Sequence, residues 1–258
     1  MNLATIIDPH PGEATALISR GRETDYDTLR TQVAALRGAL VEMGLEPGER
    51  LAIIAGNNWY FVVSYLAALG AGLVAVPLNP TNPAVAMAHE LSESGAVAIV
   101  ATPTARAALR EIDWSTLPDV RTFIGAGFEP GPLGVDIDTL LDHEPAPVVE
   151  RAPDDVAVLI FTSGTAGSPR PAMLTHANLL ANIRQVLAAD ERVQEPTDVV
   201  FGLLPMFHIF GLNVMLGVAM AVGASVLLVE RFDPVSAIES VEKHGVTTIA
   251  GPPTMWAA

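Results

Sequence analysis

The chain contains no cysteine in 258 residues, which excludes disulfides and thiol chemistry and suits a reducing cytoplasm. Positive charge is scarce. Fourteen Lys and Arg face 29 Asp and Glu, and Lys243 is the only lysine. The resulting net charge of −15 argues against a nucleic-acid partner, because a phosphate backbone requires a basic surface. Any attraction for smaller anions must be local, through single guanidinium groups, loop amides and helix N-termini. Six histidines without cysteine, and without a close ligand pair, give no zinc pattern, so no metal site is expected among these residues. Aromatic residues are few, while half of the chain is apolar, as in an interior rich in Ala, Val and Leu. Met1 to His10 has no basic segment leading into an apolar core, so no secretory leader is expected. Internal repeats, low-complexity tracts and sustained heptads are also missing.

Charge is missing from two long stretches. Leu51 to Ala88 has no charged or histidine side chain, and Leu203 to Val229 has only His208. The second stretch is long enough to span a membrane. Both are interrupted by Gly and Pro at intervals that fit alternating strands and helices, so buried α/β structure is the better reading.

That alternation runs along the chain. Leu51–Ala55, Leu73–Pro77, Ala96–Ala101, Arg121–Ile124, Val199–Leu203, Ser225–Val229 and Val246–Ala250 read as strands. Helices are predicted from Trp59 to Leu69, from Asn82-Pro83 to Gly95, and from Asp233-Pro234 to Gly245. Such an order implies an α/β fold with βαβ units and largely parallel, helix-covered sheets. The Gly-, Pro- and Asp-rich stretch 125–153 is the best candidate for an internal linker.

One segment carries more chemistry than the rest. Val156 to Ile160 reads as a buried strand that feeds Thr162-Ser163-Gly164-Thr165-Ala166-Gly167-Ser168-Pro169-Arg170, and a helix is predicted to begin near Thr175. Gly164 and Gly167 permit positive φ and close backbone approach. Successive amides can then converge on an anion. Thr162, Ser163 and Thr165 add hydroxyl donors, and Arg170 adds a planar cation suited to phosphate oxygens. A surface turn of the same composition is the plainer reading. The pattern is not that of a P-loop, which requires four residues between its glycines and a Lys-Ser/Thr pair.

Phe161 to Thr165, Gly167, Pro169 and Leu174-Thr175-His176 resemble the phosphate loop of the adenylate-forming (AMP-binding) superfamily. Ala166, Arg170 and Pro171 depart from its usual Thr, Lys and Gly. Two further segments resemble family elements in the same order: Gly70 to Pro80, and Leu204-Pro205-Met206-Phe207-His208-Ile209-Phe210-Gly211-Leu212-Asn213. So does Val246 to Met255. The resemblance runs from about residue 25 to the end and is greatest to the N-terminal part of a bacterial acyl-CoA synthetase.

The resemblance implies one N-terminal adenylate-forming domain over residues 1–258, without the family's C-terminal lid. It also implies ATP, Mg2+ and CoA as cofactors and a carboxylic acid, of the fatty class, as substrate. Thr162, Ser163, Gly164, Thr165, Gly167 and Arg170 would hold the ATP phosphates. Phe207, His208, Phe210 and Gly211 would line the acyl and thiol sites. The family's catalytic lysine and main metal ligand would lie beyond Ala258, so no catalytic residue is expected within the chain. Membrane-surface contact through a lipid substrate, and a homodimer, are further expectations. Two alternatives stay open: an acyl-AMP ligase that feeds a carrier protein, and a non-enzymatic nucleotide-binding lobe. Taken alone, His208 reads first as a packed histidine in an apolar run, and only the resemblance favours a site role; His176 reads as structural.

Overall fold

The computed structural model describes residues 1–128, 130, 134–162, 170–189 and 194–251. It divides into two compact units: Met1–Thr5, Thr31–Gly56 and Tyr60–Asn178 form the first, and Ile6–Arg30, Asn57–Trp59 and Leu179–Ala258 the second.

The first unit is built on a seven-stranded sheet. In chain order its strands are β3 (Arg50–Ile54), β4 (Val74–Leu78), β5 (Ala96–Ala101), β6 (Thr122–Gly125), β7 (Val135–Asp136), β8 (Val156–Thr162) and β9 (Arg170–Thr175). Across the sheet the order is β7-β6-β5-β3-β4-β8-β9, parallel throughout except for the antiparallel β8–β9 pair. The central strands are buried along almost their whole length, which is why they read as unbroken apolar runs. The helices α2 (Trp59–Gly70), α3 (Ala84–Ser94), α4 (Arg106–Glu111) and α5 (Ile137–Leu140) connect them. Gly95 ends α3 in the left-handed conformation, φ 60°, and its N–H returns to the carbonyls of Leu91 and Ser92. Residues 125–153 lie wholly within this unit and contain β7 and α5.

The second unit has a five-stranded sheet made of β1 (Thr15–Ser19), β2 (Arg22–Asp25), β10 (Val199–Gly202), β11 (Ser225–Leu228) and β12 (Thr248–Ile249). Its order is β12-β10-β11-β1-β2, and only the β1–β2 hairpin is antiparallel. Arg20 and Gly21, both at positive φ, form the two-residue turn that such a hairpin requires. The long uncharged stretch, Leu203 to Val229, follows strand β10 and resolves into a π-helix (Phe210–Gly217), helix α7 (Val218–Val222) and strand β11. Among the described residues no helix is long and apolar enough to cross a membrane. Helix α8 (Pro234–His244) begins on Asp233, whose carboxylate accepts the Ser236 N–H, and ends at left-handed Gly245. Helices α1 (Tyr26–Glu42) and α6 (His176–Ala189) are shared in sequence by the two units.

Candidate functional site

In the first unit the predicted strand is present as β8, extended to Thr162. Its path onward differs from the expectation of a strand, a loop and a helix. Strand β9 intervenes before the helix, paired antiparallel with β8, with Phe161 opposite Pro171 and Thr162 opposite Arg170. A proline inside the segment argues against a central strand, but β9 lies at the sheet edge, where the missing N–H is tolerated. Pro171 therefore sits in an edge strand and not in the loop. Thr162 and Arg170, both exposed, pair across the two strands, with the predicted loop residues 163–169 between them in the chain. Ser163, Gly164, Thr165 and Gly167 lie outside the described residues. The loop leaves from the carboxyl end of a strand that runs parallel to its inner neighbour β4, the end at which parallel α/β sheets place ligands.

Beyond β9, helix α6 starts next to Thr175, where the sequence predicts it. The Asn178 N–H donates to Thr175 Oγ1 and the Thr175 N–H donates to Asn178 Oδ1, both at 3.1 Å, a reciprocal cap. His176 is fully buried at the first turn, and its Nδ1 accepts the Leu3 N–H at 3.1 Å. That bond places the ring proton on Nε2, which is buried and without a partner among the described residues. Burial, reinforced by the nearby Arg151 charge, pushes the His176 pKa down to about 4. His176 is a neutral structural residue that fixes the helix following the hairpin.

The other predicted residues belong to the second unit. Phe207 is half-buried, while His208 and Phe210 are exposed at the entrance to the π-helix. His208 is thus not a packed core histidine, and its ring lies 5.5 Å from that of Phe207. Its N–H donates to the Pro205 carbonyl, and its own carbonyl accepts the Leu212 N–H. Gly211 is buried because no side chain fits there: a Cβ would lie 2.2 Å from the Pro205 carbonyl oxygen. π-Helical turns are rare and often occur at functional sites. This one is held to α6 by Asn213, whose amide donates to the Leu179 carbonyl and to Asn182 Oδ1.

Asn57 is the residue that the sequence did not reveal. Its buried amide donates to the carbonyls of Gly202 and Leu204, each at 2.8 Å. Its oxygen accepts the Met206 N–H at 3.0 Å. One side chain thus fixes the backbone of the segment that presents Phe207 and His208. No local pattern signals a partner about 150 positions away.

Comparison with known proteins decides the family. The profile of the AMP-binding enzymes matches residues 5–258. The chain belongs to this family. It is 32% identical over 252 residues to feruloyl-CoA synthase of an Amycolatopsis species, covering 98% of this chain and 48% of that protein. With the long-chain-fatty-acid–CoA ligase of Bacillus subtilis it shares 26% identity over 275 residues, covering 95% of this chain and 48% of the relative. The chain spans about half the length of the curated relatives it matches. The crystal structure of the anthranilate CoA ligase AuaEII with anthranoyl-AMP superposes on the whole chain with a TM-score of 0.92 at 20% identity, a likeness of fold, and 51% of that structure is covered.

Proposed function

We propose that the chain is the N-terminal portion of an ATP-dependent acyl-CoA ligase that activates a carboxylic acid, of the fatty class, as an acyl-adenylate and passes it to CoA. The observation that carries this reading is the β8–β9 hairpin in a chain of the AMP-binding family. A parallel strand delivers a Ser/Thr/Gly loop at its carboxyl end, and Arg170 closes it opposite Thr162. In the first half-reaction a carboxylate oxygen attacks the α-phosphorus of ATP, and the α–β phosphoanhydride bond breaks to release pyrophosphate. The loop amides, the hydroxyls of Thr162, Ser163 and Thr165, and the Arg170 guanidinium would neutralise the phosphate charge that this step concentrates. Gly164 and Gly167 would permit the close backbone approach.

In the second half-reaction the CoA sulfur attacks the acyl carbon and AMP leaves with the bonding electrons. Phe207, His208, Phe210 and Gly211 would line the path of acyl group and thiol, on the segment held by Asn57. Mg2+, when bound, supplies further neutralisation of phosphate charge. Among the described residues no group of three His, Asp or Glu side chains could hold a metal, so no step is assigned to it here. Catalytic residues outside this chain would complete the reaction, with a lysine from a C-terminal lid.

The test is acid-dependent exchange of labelled pyrophosphate into ATP by the full-length gene product, across a panel of fatty and aromatic acids. Exchange with fatty acids, followed by CoA-ester formation, is expected. Exchange without transfer to CoA, but with transfer to a carrier protein, would favour an acyl-AMP ligase. Absence of exchange with every acid would leave a non-enzymatic nucleotide-binding lobe.

A further inference from the structure

The first unit contains a cavity of about 640 Å³ that plays no part in the reading above. It lies against β6, at the opposite side of the sheet from β8. Four strand-to-strand steps separate the two, about 19 Å at the usual spacing. The size is that of a pocket for a small organic ligand. Leu109, Leu117 and Val120 supply aliphatic surface, and Trp114, Phe123 and Phe128 supply aromatic surface. Trp114 and Phe123 meet edge to face at 6.4 Å.

Three of the chain's few cations line the same cavity: Arg106, Arg110 and Arg121. Arg121 is committed to Glu49 and to the Gly44 carbonyl. Arg106 lies over the Phe128 ring at 5.7 Å. Neither the Arg106 nor the Arg110 guanidinium has a hydrogen bond or ion pair among the described residues, and both are exposed. No acidic side chain among the described residues lines the cavity. A local concentration of unpaired guanidinium beside apolar walls, in a chain of net charge −15, selects a ligand with one anionic end and an apolar body. The planar guanidinium fork matches a carboxylate.

We propose that this cavity is a second ligand site, binding an apolar carboxylate with its body between Trp114, Phe123 and Leu117 and its head at Arg106 and Arg110. The site does not depend on the ATP-binding reading, since it shares no residue with the hairpin. It would let a fatty or aromatic carboxylate occupy the protein away from the proposed reaction centre.

Decanoate is the test probe, and Trp114, one of three tryptophans, is the built-in reporter. Titration of the chain with decanoate should give a saturable fluorescence change that disappears in Trp114→Phe. Arg110→Ala should weaken binding about tenfold, as for loss of one charge-assisted hydrogen bond, and Arg106→Ala/Arg110→Ala should weaken it further. Both positions are exposed, so thermal melts should show the variants as folded as the wild type. Arg170→Ala should leave the signal unchanged, which separates this site from the hairpin. Decanol should bind at least about tenfold more weakly than decanoate. The proposal is overturned if decanol matches decanoate, if the double variant binds like the wild type, or if decanoate gives no saturable change. Tighter binding of decyl phosphate than of decanoate would overturn the carboxylate assignment and make the site one for phosphate headgroups.

Discussion

At the scale of single residues, two buried side chains set measurable expectations. Asn57 satisfies two carbonyls and one amide of the 202–206 backbone. Asn57→Ala would leave these groups unpaired, and the expected loss of stability is about 2–3 kcal/mol in urea unfolding. A loss below about 0.5 kcal/mol, the range of an ordinary surface substitution, would show that the segment does not depend on it. His176 makes a prediction about pH. Its folded pKa is depressed from 6.5 to about 4, so the folded protein keeps a neutral ring while the unfolded chain takes up a proton. The stabilisation is therefore complete above pH 6.5 and declines as pH falls towards 4. Relative to His176→Gln, which cannot titrate there, wild-type stability should fall by on the order of 3 kcal/mol across that window. A wild-type-minus-variant difference that stays constant from pH 7 to 4 would contradict this account.

At the scale of elements, the strands buried on both faces and the capped helices were the legible part. Ala96–Ala101 is strand β5 with the bounds the sequence gives it, because a run of small and β-branched apolar residues between Gly95 and Thr102 allows little else. Asp233-Pro234 and Gly245 likewise bound α8, since a carboxylate cap, a first-turn proline and a left-handed glycine each act locally. The elements that escaped notice include the interior strand β1, helix α1 and strands at sheet edges. Strand β2 reads Arg-Glu-Thr-Asp and β9 holds Pro171 and the largely exposed Met173, so both look like turns. The π-helix escaped for another reason: Gly211 packs against the Pro205 carbonyl only six positions away, a close approach that apolar periodicity does not encode. The candidate site was legible as motifs, whereas Asn57, which holds one of them in place, was not. Gly211→Ala tests the π-helix account. The added methyl would meet the Pro205 carbonyl, and overpacking of this kind lowers stability by about 1–3 kcal/mol. An unchanged melting temperature would mean that the turn relaxes freely.

At the scale of the whole molecule, the family match covers nearly the entire chain while the curated relatives are about twice as long. The purified 258-residue chain is therefore expected not to form acyl-CoA at a useful rate, and thioester formation by the chain, free of longer protein, would overturn that. The central claim is that the β8–β9 hairpin handles the polyphosphate of ATP, and the two half-reactions separate it from every other role of the loop. The decisive measurement compares wild type and Arg170→Ala of the full-length protein in pyrophosphate exchange and in thiol transfer from preformed acyl-adenylate. Loss of one charge-assisted contact should weaken exchange by a factor of about ten to a hundred, while transfer should change little, because pyrophosphate has already left. Equal exchange with and without the Arg170 side chain, or an equal loss in both half-reactions, would contradict the assignment of this hairpin to the ATP phosphates.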